Sequence, residues 1–244
     1  MLAVIGAMKE EIDLIQAEMT VASRGTHAGI ETVTGSFGGV EIVLAQSGIG
    51  KVNATICTQM LIDRFGPDAL VFSGVAGGLL PNMRVGDIVI ASHLIQYDMD
   101  LTAFGRRHGE VPGQDSHMVE SDPDLVRKAA DAFDAAFADA GEAPSLMLGT
   151  VVSGDRFIQD QETLRWLQRE FSALATEMEG AAVGYTCGVN DVPFVIVRGL
   201  TDSACEAAPG DFAANLHTVC LNSFRLLERL IPEMGAAPNL LKAS

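Results

Sequence analysis

Six short β-rich runs punctuate this chain: Leu2–Ile5, Val40–Ala45, Ala69–Phe72, Asp87–Ala91, Leu146–Val152 and Pro193–Val197. Several are apolar at every position. A strand with one wet face alternates polar and apolar residues, so an uninterrupted apolar run marks a strand buried on both faces. Such strands need cover on each side, and the intervening sequence supplies it. Leu125, Ala129, Phe133, Ala136 and Ala140 recur at helical spacing, as do Phe212, Leu216, Cys220, Phe224, Leu227 and Ile231. The pattern predicts an α/β fold with helices on both faces of a sheet. No internal repeat and no Gly-, Ser- or Pro-rich linker divides the chain, so one domain is expected over residues 1–232. Pro232 is expected to close the last helix, leaving 233–244 as a frayed tail.

A chain of 244 residues that is 48% apolar and 20% charged buries roughly 70% of its unfolded surface, enough for one large core. Its formal net charge of −16, with 16 thinly spread basic residues, argues against nucleic acid or an acidic membrane as partner. The expected ligand is a small molecule that is not polyanionic. Cys57, Cys187, Cys205 and Cys220 are far apart and without metal-ligand spacing, so they read as buried reduced thiols. The apolar run Leu2–Met8 is too short for a signal peptide or a membrane span, and a reducing cytoplasm is the expected setting. Neither a metal nor an organic cofactor is implied.

In α/β folds the loops leaving the carboxyl ends of strands line the ligand crevice. Gly6-Ala7-Met8-Lys9-Glu10-Glu11 places Glu11 in the opening turn of a helix, where the dipole favours a carboxylate, although helix-start glutamates are also ordinary caps. Ser47-Gly48-Ile49-Gly50-Lys51 fails as a nucleotide-binding P-loop, because Ala45 replaces the first Gly and Val52 the Ser or Thr; a tight strand-to-helix turn is expected. Ser73–Gly78 is glycine-rich, which serves either a close ligand approach or a plain turn. Arg198-Gly199-Leu200-Thr201-Asp202 follows an apolar strand without a polar spacer, as a catalytic pair or as a structural ion pair.

Taken together with Val85–Val89, Ser153-Gly154-Asp155-Arg156-Phe157-Ile158 and Thr176-Glu177-Met178-Glu179-Gly180, these segments resemble the bacterial 5'-methylthioadenosine/S-adenosylhomocysteine nucleosidases. The resemblance runs from about residue 2 to residue 231. It implies a three-layer α/β/α sandwich with a central mixed sheet, as in the nucleoside phosphorylases. It also implies hydrolysis of the N-glycosidic bond of a 5'-substituted adenosine.

That reaction needs the purine protonated as it leaves and a water activated at C1' of an oxocarbenium-like sugar. By resemblance, Asp202 is the acid at adenine N7, Glu11 the base for water, Glu179 the acceptor for ribose hydroxyls, and Arg198 an orienting residue. Phe157 stacks on adenine, backbone groups of Ile158 read its edge, and Met178 makes a backbone contact. Met8 and Phe212 line the ribose and 5' group, and Val75 and Thr201 complete the substrate-binding set. Leu101, Phe104 and Pro112 match a stretch lent to a partner's site, which implies a homodimer.

Val75 stands where well-known members carry Ser, and Ser203–Asp211 also departs from the pattern. Both bear on the 5' substituent, which is left open among methylthioadenosine, S-adenosylhomocysteine, 5'-deoxyadenosine and an aminofutalosine-type nucleoside. The alternatives are a phosphate-dependent purine nucleoside phosphorylase, which needs a cationic phosphate nest, and a noncatalytic nucleoside-binding or storage protein on the same fold.

Overall fold

The computed structural model describes residues 1–113, 116–202 and 208–235. Among these residues, ten strands alternate with six α-helices. In chain order they are β1 (Leu2–Gly6), α1 (Lys9–Glu18), β2 (Thr20–His27), β3 (Ile30–Phe37), β4 (Val40–Gln46), α2 (Lys51–Phe65), β5 (Ala69–Gly78) and β6 (Ile88–Gln96). Then follow β7 (Val119–Glu120), α3 (Pro123–Phe137), β8 (Leu146–Ser153), α4 (Gln161–Phe171), β9 (Ala175–Glu177), α5 (Gly180–Val189), β10 (Phe194–Asp202) and α6 (Ala208–Gly235).

Side-chain alternation along β1 explains the layering. Leu2 and Val4 pack with residues of α1, α3 and α6 on one face. Ala3 and Ile5 point to the opposite face, against α2 and α5. All four are buried, as a strand covered on both sides requires. The sheet is mixed: β1 pairs parallel with β4 and β5, and β10 parallel with β5, whereas β10 runs antiparallel to β6. Its order is β10-β6-β8-β9-β5-β1-β4-β3-β2. The extra β10–β5 pairing curls one end of the sheet back on itself.

Local chemistry sets the helix boundaries. Asp122 caps α3 by accepting from Leu125 N at 3.0 Å, with Pro123 in the first turn. Asp160 caps α4 through Thr163 N at 2.8 Å. Each cap of this kind contributes about 1 kcal/mol. Helix α2 differs, since its N-cap is Gly50, which has no side chain to offer.

Three expectations need correction. Helix α6 continues through Pro232 to Gly235. Pro232 cannot donate to the carbonyl of Glu228 and its ring crowds that carbonyl, a local cost met only three residues before the helix ends, where the ring packs against Gly38. Secondly, Ser73–Gly78 and Arg198–Asp202 are not exits from strands but the final residues of β5 and β10. Their backbones stay paired with each other, Arg198 opposite Gly74 and Asp202 opposite Gly77. The expected strand at Asp87 begins one residue later. Asp87 instead ties a turn to the start of β8, accepting from Arg84 N at 2.9 Å and Ser145 N at 2.8 Å.

Cys57, Cys187 and Cys220 are free and buried, their thiols pushed up to about 12 by desolvation; Cys205 lies outside the described residues. No helix among the described residues is long and apolar enough to cross a membrane.

Candidate active site

Strand register brings the polar segments to one level. Gly77 of β5 lies opposite Asp202 on β10 and opposite Thr176 on β9, and Glu177 lies opposite Ser153 on β8. A register shift between Leu200 and Asp202 breaks strict alternation, so consecutive residues Thr201 and Asp202 both reach one cavity. That cavity has a volume of about 260 Å³. Glu11, Glu179 and Asp202, distant in sequence, all line it, together with Met8, Val75, Phe157, Ile158, Met178, Thr201 and Phe212.

Glu11 is the third residue of α1 and turns back over the helix start. Its Oε2 accepts from Ala7 N at 2.7 Å and Met8 N at 2.9 Å, and its Oε1 accepts from Val75 N at 3.0 Å. The carboxylate that caps the helix start is therefore the same one that lines the cavity. Three of the roughly four acceptor positions of a carboxylate are filled, leaving one for a ligand or water. Desolvation raises the Glu11 pKa above 4.5, against the lowering effect of Arg198 and the three backbone donors.

Glu179 accepts from Gly50 N at 2.7 Å. Burial, with the nearby Glu177 charge second, pushes its pKa up to about 8. Asp202 is buried and accepts from Thr201 Oγ1 at 2.8 Å.

Arg198 stands behind the lining. Its Nη2 and Nε donate to Glu177 Oε2 at 2.6 and 3.1 Å, and its guanidinium carbon lies 4.1 Å from the centroid of the Phe72 ring. Glu177 also accepts from Gly180 N at 2.7 Å, from Glu179 N at 3.1 Å and from Ser153 Oγ. Gly74 makes this crowding possible, since a Cβ there would sit 2.9 Å from both Arg198 Nη1 and Glu11 Oε1. The glycine-rich stretch therefore serves close packing of two site side chains.

At the apolar end, Phe157 is 42% exposed and meets Phe212 edge to face at 6.1 Å, while Ile158 is buried. An aromatic face beside aliphatic walls suits a neutral planar ring. Leu101, Phe104 and Pro112 do not line the cavity of this chain; Phe104 is 81% exposed. Most of Ser203–Asp211 lies outside the described residues.

Sequence reasoning missed Glu177, Thr176 and Ile49, which also line the cavity. Glu177 had a signal, an acidic residue inside a strand with an arginine in a second apolar strand. Ile49 sits in the Ser47–Lys51 turn. That turn is the expected strand-to-helix connection, and it also delivers Gly50 N to Glu179.

Comparison with known proteins decides the family. A family model described as "Phosphorylase superfamily" matches residues 1–232. A 5'-methylthioadenosine/S-adenosylhomocysteine nucleosidase from Geobacillus thermodenitrificans is 41% identical over 226 residues, covering 92% of this chain and 93% of the relative. The chain belongs to the 5'-methylthioadenosine/S-adenosylhomocysteine nucleosidase family. A crystal structure of such a nucleosidase from Neisseria meningitidis, in complex with methylthio-immucillin-A, superposes with a TM-score of 0.88 at 37% identity, covering 95% of this chain and 98% of that one. A futalosine hydrolase of Helicobacter pylori superposes with a TM-score of 0.89 at 33% identity, covering 95% and 97%. The nucleoside phosphorylase-like fold is thus shared across family members named for different nucleosides.

Proposed function

We propose that this protein hydrolyses the N-glycosidic bond of 5'-substituted adenosines, releasing adenine and the free 5'-substituted ribose. The observation that carries this reading is the convergence of Glu11, Glu179 and Asp202 on one largely apolar cavity. In the proposed reaction Asp202, as the carboxylic acid, gives its proton to N7. The C1'–N9 bond breaks with its electron pair passing into the purine. Water adds at C1' and loses a proton to Glu11. The unfilled acceptor position of Glu11 and its raised pKa suit a base that works near neutral pH. Glu179 takes hydrogen bonds from the ribose hydroxyls, and Phe157, Ile158 and Phe212 hold the base. Met8, Val75, Met178 and Thr201 complete the walls around the nucleoside.

Charge at the site favours water over phosphate as the nucleophile. Arg198 is committed to Glu177, and Arg156, a cation on the lining, pairs with Asp160 at 2.7 Å. Phosphate would meet a cavity lined by four acidic side chains, Glu11, Glu177, Glu179 and Asp202, and by no cationic nest free of an acidic partner among the described lining residues. The 5' substituent belongs to the same proposal: methylthio, homocysteinyl and deoxy groups are within it. The futalosine hydrolase likeness supports testing an aminofutalosine-type nucleoside beside them.

A panel of these nucleosides, incubated with and without phosphate, separates the readings. Free 5'-substituted ribose formed without phosphate supports hydrolysis. Ribose-1-phosphate formation would establish the phosphorylase, and binding without base release a noncatalytic binder.

The same reading includes a homodimer in the cytoplasm. Ile49, Val52 and Ile56 expose 53%, 69% and 45% of their surface around the start of α2, and Phe104 is exposed nearby in sequence to Leu101 and Pro112. A second copy covering these residues would give Leu101, Phe104 and Pro112 their proposed role at the partner's site. Sedimentation combined with activity on dilution tests it; a fully active monomer would overturn it.

A further inference from the structure

Helix α2 begins at Lys51 behind an N-cap, Gly50, that has no side chain and a backbone φ of +96°. The first amides of any helix lack intrahelical partners. Here two carboxylates from distant segments take them. Glu179 Oε1 accepts from Gly50 N at 2.7 Å, and Asp155 Oδ1 accepts from Lys51 N at 2.8 Å. Asp155 is fixed in turn, because its own N–H donates to Asp98 Oδ2 at 3.1 Å. The other oxygen of Asp98 receives Lys51 Nζ at 2.5 Å, and Lys51 Nζ also reaches Gln96 Oε1 at 3.3 Å. Lys51, Asp98 and Asp155 thus close a ring of three hydrogen bonds that joins the start of α2, the segment after β6 and the loop after β8.

We infer that Asp155 is a positioning residue, holding the Phe157–Ile158 loop against the helix start that also anchors Glu179. The spacing makes this direct. Phe157 lies two residues beyond Asp155, and Glu179 bonds to the residue adjoining Lys51. A bulkier cap cannot replace the arrangement from within the helix, since a Cβ at Gly50 would lie 3.1 Å from Asp155 Oδ1 at a φ that disfavours side chains. The short intervening chain has its own ties: Gly154 N donates to Glu177 O at 3.1 Å and Arg156 bonds to Asp160. The Asp155 side chain is the direct bond from this loop to the α2 backbone among the described residues; its loss leaves the weaker route through Asp155 N–H, Asp98 and Lys51 Nζ and so loosens the aromatic wall against the helix start without touching Phe157 or Glu179.

The kinetic arm of the test rests on the proposed hydrolase reading; a ligand-free arm does not. Asp155→Ala is compared with wild type by hydrogen–deuterium exchange without ligand. Peptides spanning residues 47–53 and 153–158 are expected to exchange faster, with the sheet interior unchanged. On 5'-methylthioadenosine, Asp155→Ala is expected to raise KM about tenfold with kcat changed less than about threefold, because the loop binds the base in ground and transition states alike. In a Phe157→Ala background the same substitution should add less than about twofold to KM, the non-additivity of residues acting through one another. Asp155→Asn, which keeps an acceptor oxygen, should recover most of the loss. Unchanged exchange in both segments overturns the inference, as does full additivity with Phe157→Ala or a wild-type KM in a folded Asp155→Ala protein. If wild type releases no adenine, the hydrolase reading fails, and the exchange result alone decides the inference.

Discussion

Arg198 and Glu177 face each other inside the protein with side chains 1% and 2% exposed, joined by two hydrogen bonds onto the same carboxylate oxygen. Glu177 lines the cavity and Arg198 stands behind it, with Glu177 also holding the start of α5 through Gly180 N. Removing one member of a buried pair strands the other charge away from water, at a cost of about 3–5 kcal/mol. Glu177→Ala is therefore expected to lose stability on that scale in urea unfolding. A loss below about 1 kcal/mol would mean that Arg198 finds another partner.

Asp202→Asn and Glu11→Gln test the proposed proton donor and base. Each is expected to lower kcat by about 10²- to 10⁴-fold, with adenine binding still measurable by calorimetry. For wild type, kcat/KM should fall as pH drops through the pKa of Glu11, which desolvation holds above 4.5. That acid limb should be absent from the residual activity of Glu11→Gln. Undiminished turnover in the Asp202→Asn protein would remove Asp202 as the donor.

Glu179 ties stability to pH in a direction opposite to that of an ordinary ion-paired carboxylate. Its folded pKa is raised to about 8 from 4.5, so between those values the folded chain holds a proton that the unfolded chain has lost. Stability contributed by this group is complete below pH 4.5 and declines as pH rises to about 8. Glu179→Gln removes the dependence. In the absence of ligand, the variant should match wild type near pH 4.5 and exceed it by a margin that grows as pH rises to about 8. Thermal unfolding across that range supplies the comparison, and a variant less stable than wild type at pH 8 contradicts it.

The layered fold was legible because its signal is apolar burial. All six expected strands exist, and α3 and α6 follow their helical stripes. The β2–β3 hairpin lies outside that signal: its strands are largely polar and β2 is mostly exposed at the sheet edge, so neither carries a continuous apolar run. Around the cavity, Glu11 and Asp202 stood out as polar residues adjoining apolar strands, whereas Glu179 was reached only through the family resemblance; all three line that cavity. The register pairing Gly77 with both Asp202 and Thr176 was not, because it depends on tertiary closure of the sheet. The use of Gly50 N by Glu179 was equally hidden, since 129 residues separate donor and acceptor.

Gly74→Ala follows from the contact between strands. The added methyl would meet Arg198 Nη1 and Glu11 Oε1, each at 2.9 Å, and neither can withdraw freely. Arg198 is held by Glu177, and Glu11 by three backbone donors. Overpacking of this kind costs about 1–3 kcal/mol. The variant should therefore lose stability and, through displacement of Glu11, also lose kcat. A variant with full activity and unchanged unfolding would show that the two side chains are less constrained than their hydrogen bonds require.

Thr176 offers a change of opposite sign. It is 6% exposed, and its hydroxyl oxygen is enclosed without a hydrogen-bond partner, although the residue lines the cavity. An unpaired buried hydroxyl carries a desolvation penalty that no bond offsets, of about 1–3 kcal/mol. Valine has nearly the same shape and the same β-branching, which suits strand β9. Thr176→Val should accordingly raise the stability of the ligand-free protein by about 1 kcal/mol, measured by chemical denaturation. The hydroxyl hydrogen can turn about the Cβ–Oγ bond without surrendering a partner. If it turns toward a bound purine, Thr176→Val will weaken adenine binding while stabilising the free chain, whereas Thr176→Ser will preserve binding. A destabilised Thr176→Val protein would show that the hydroxyl is satisfied in solution, and the explanation based on its isolation would fail.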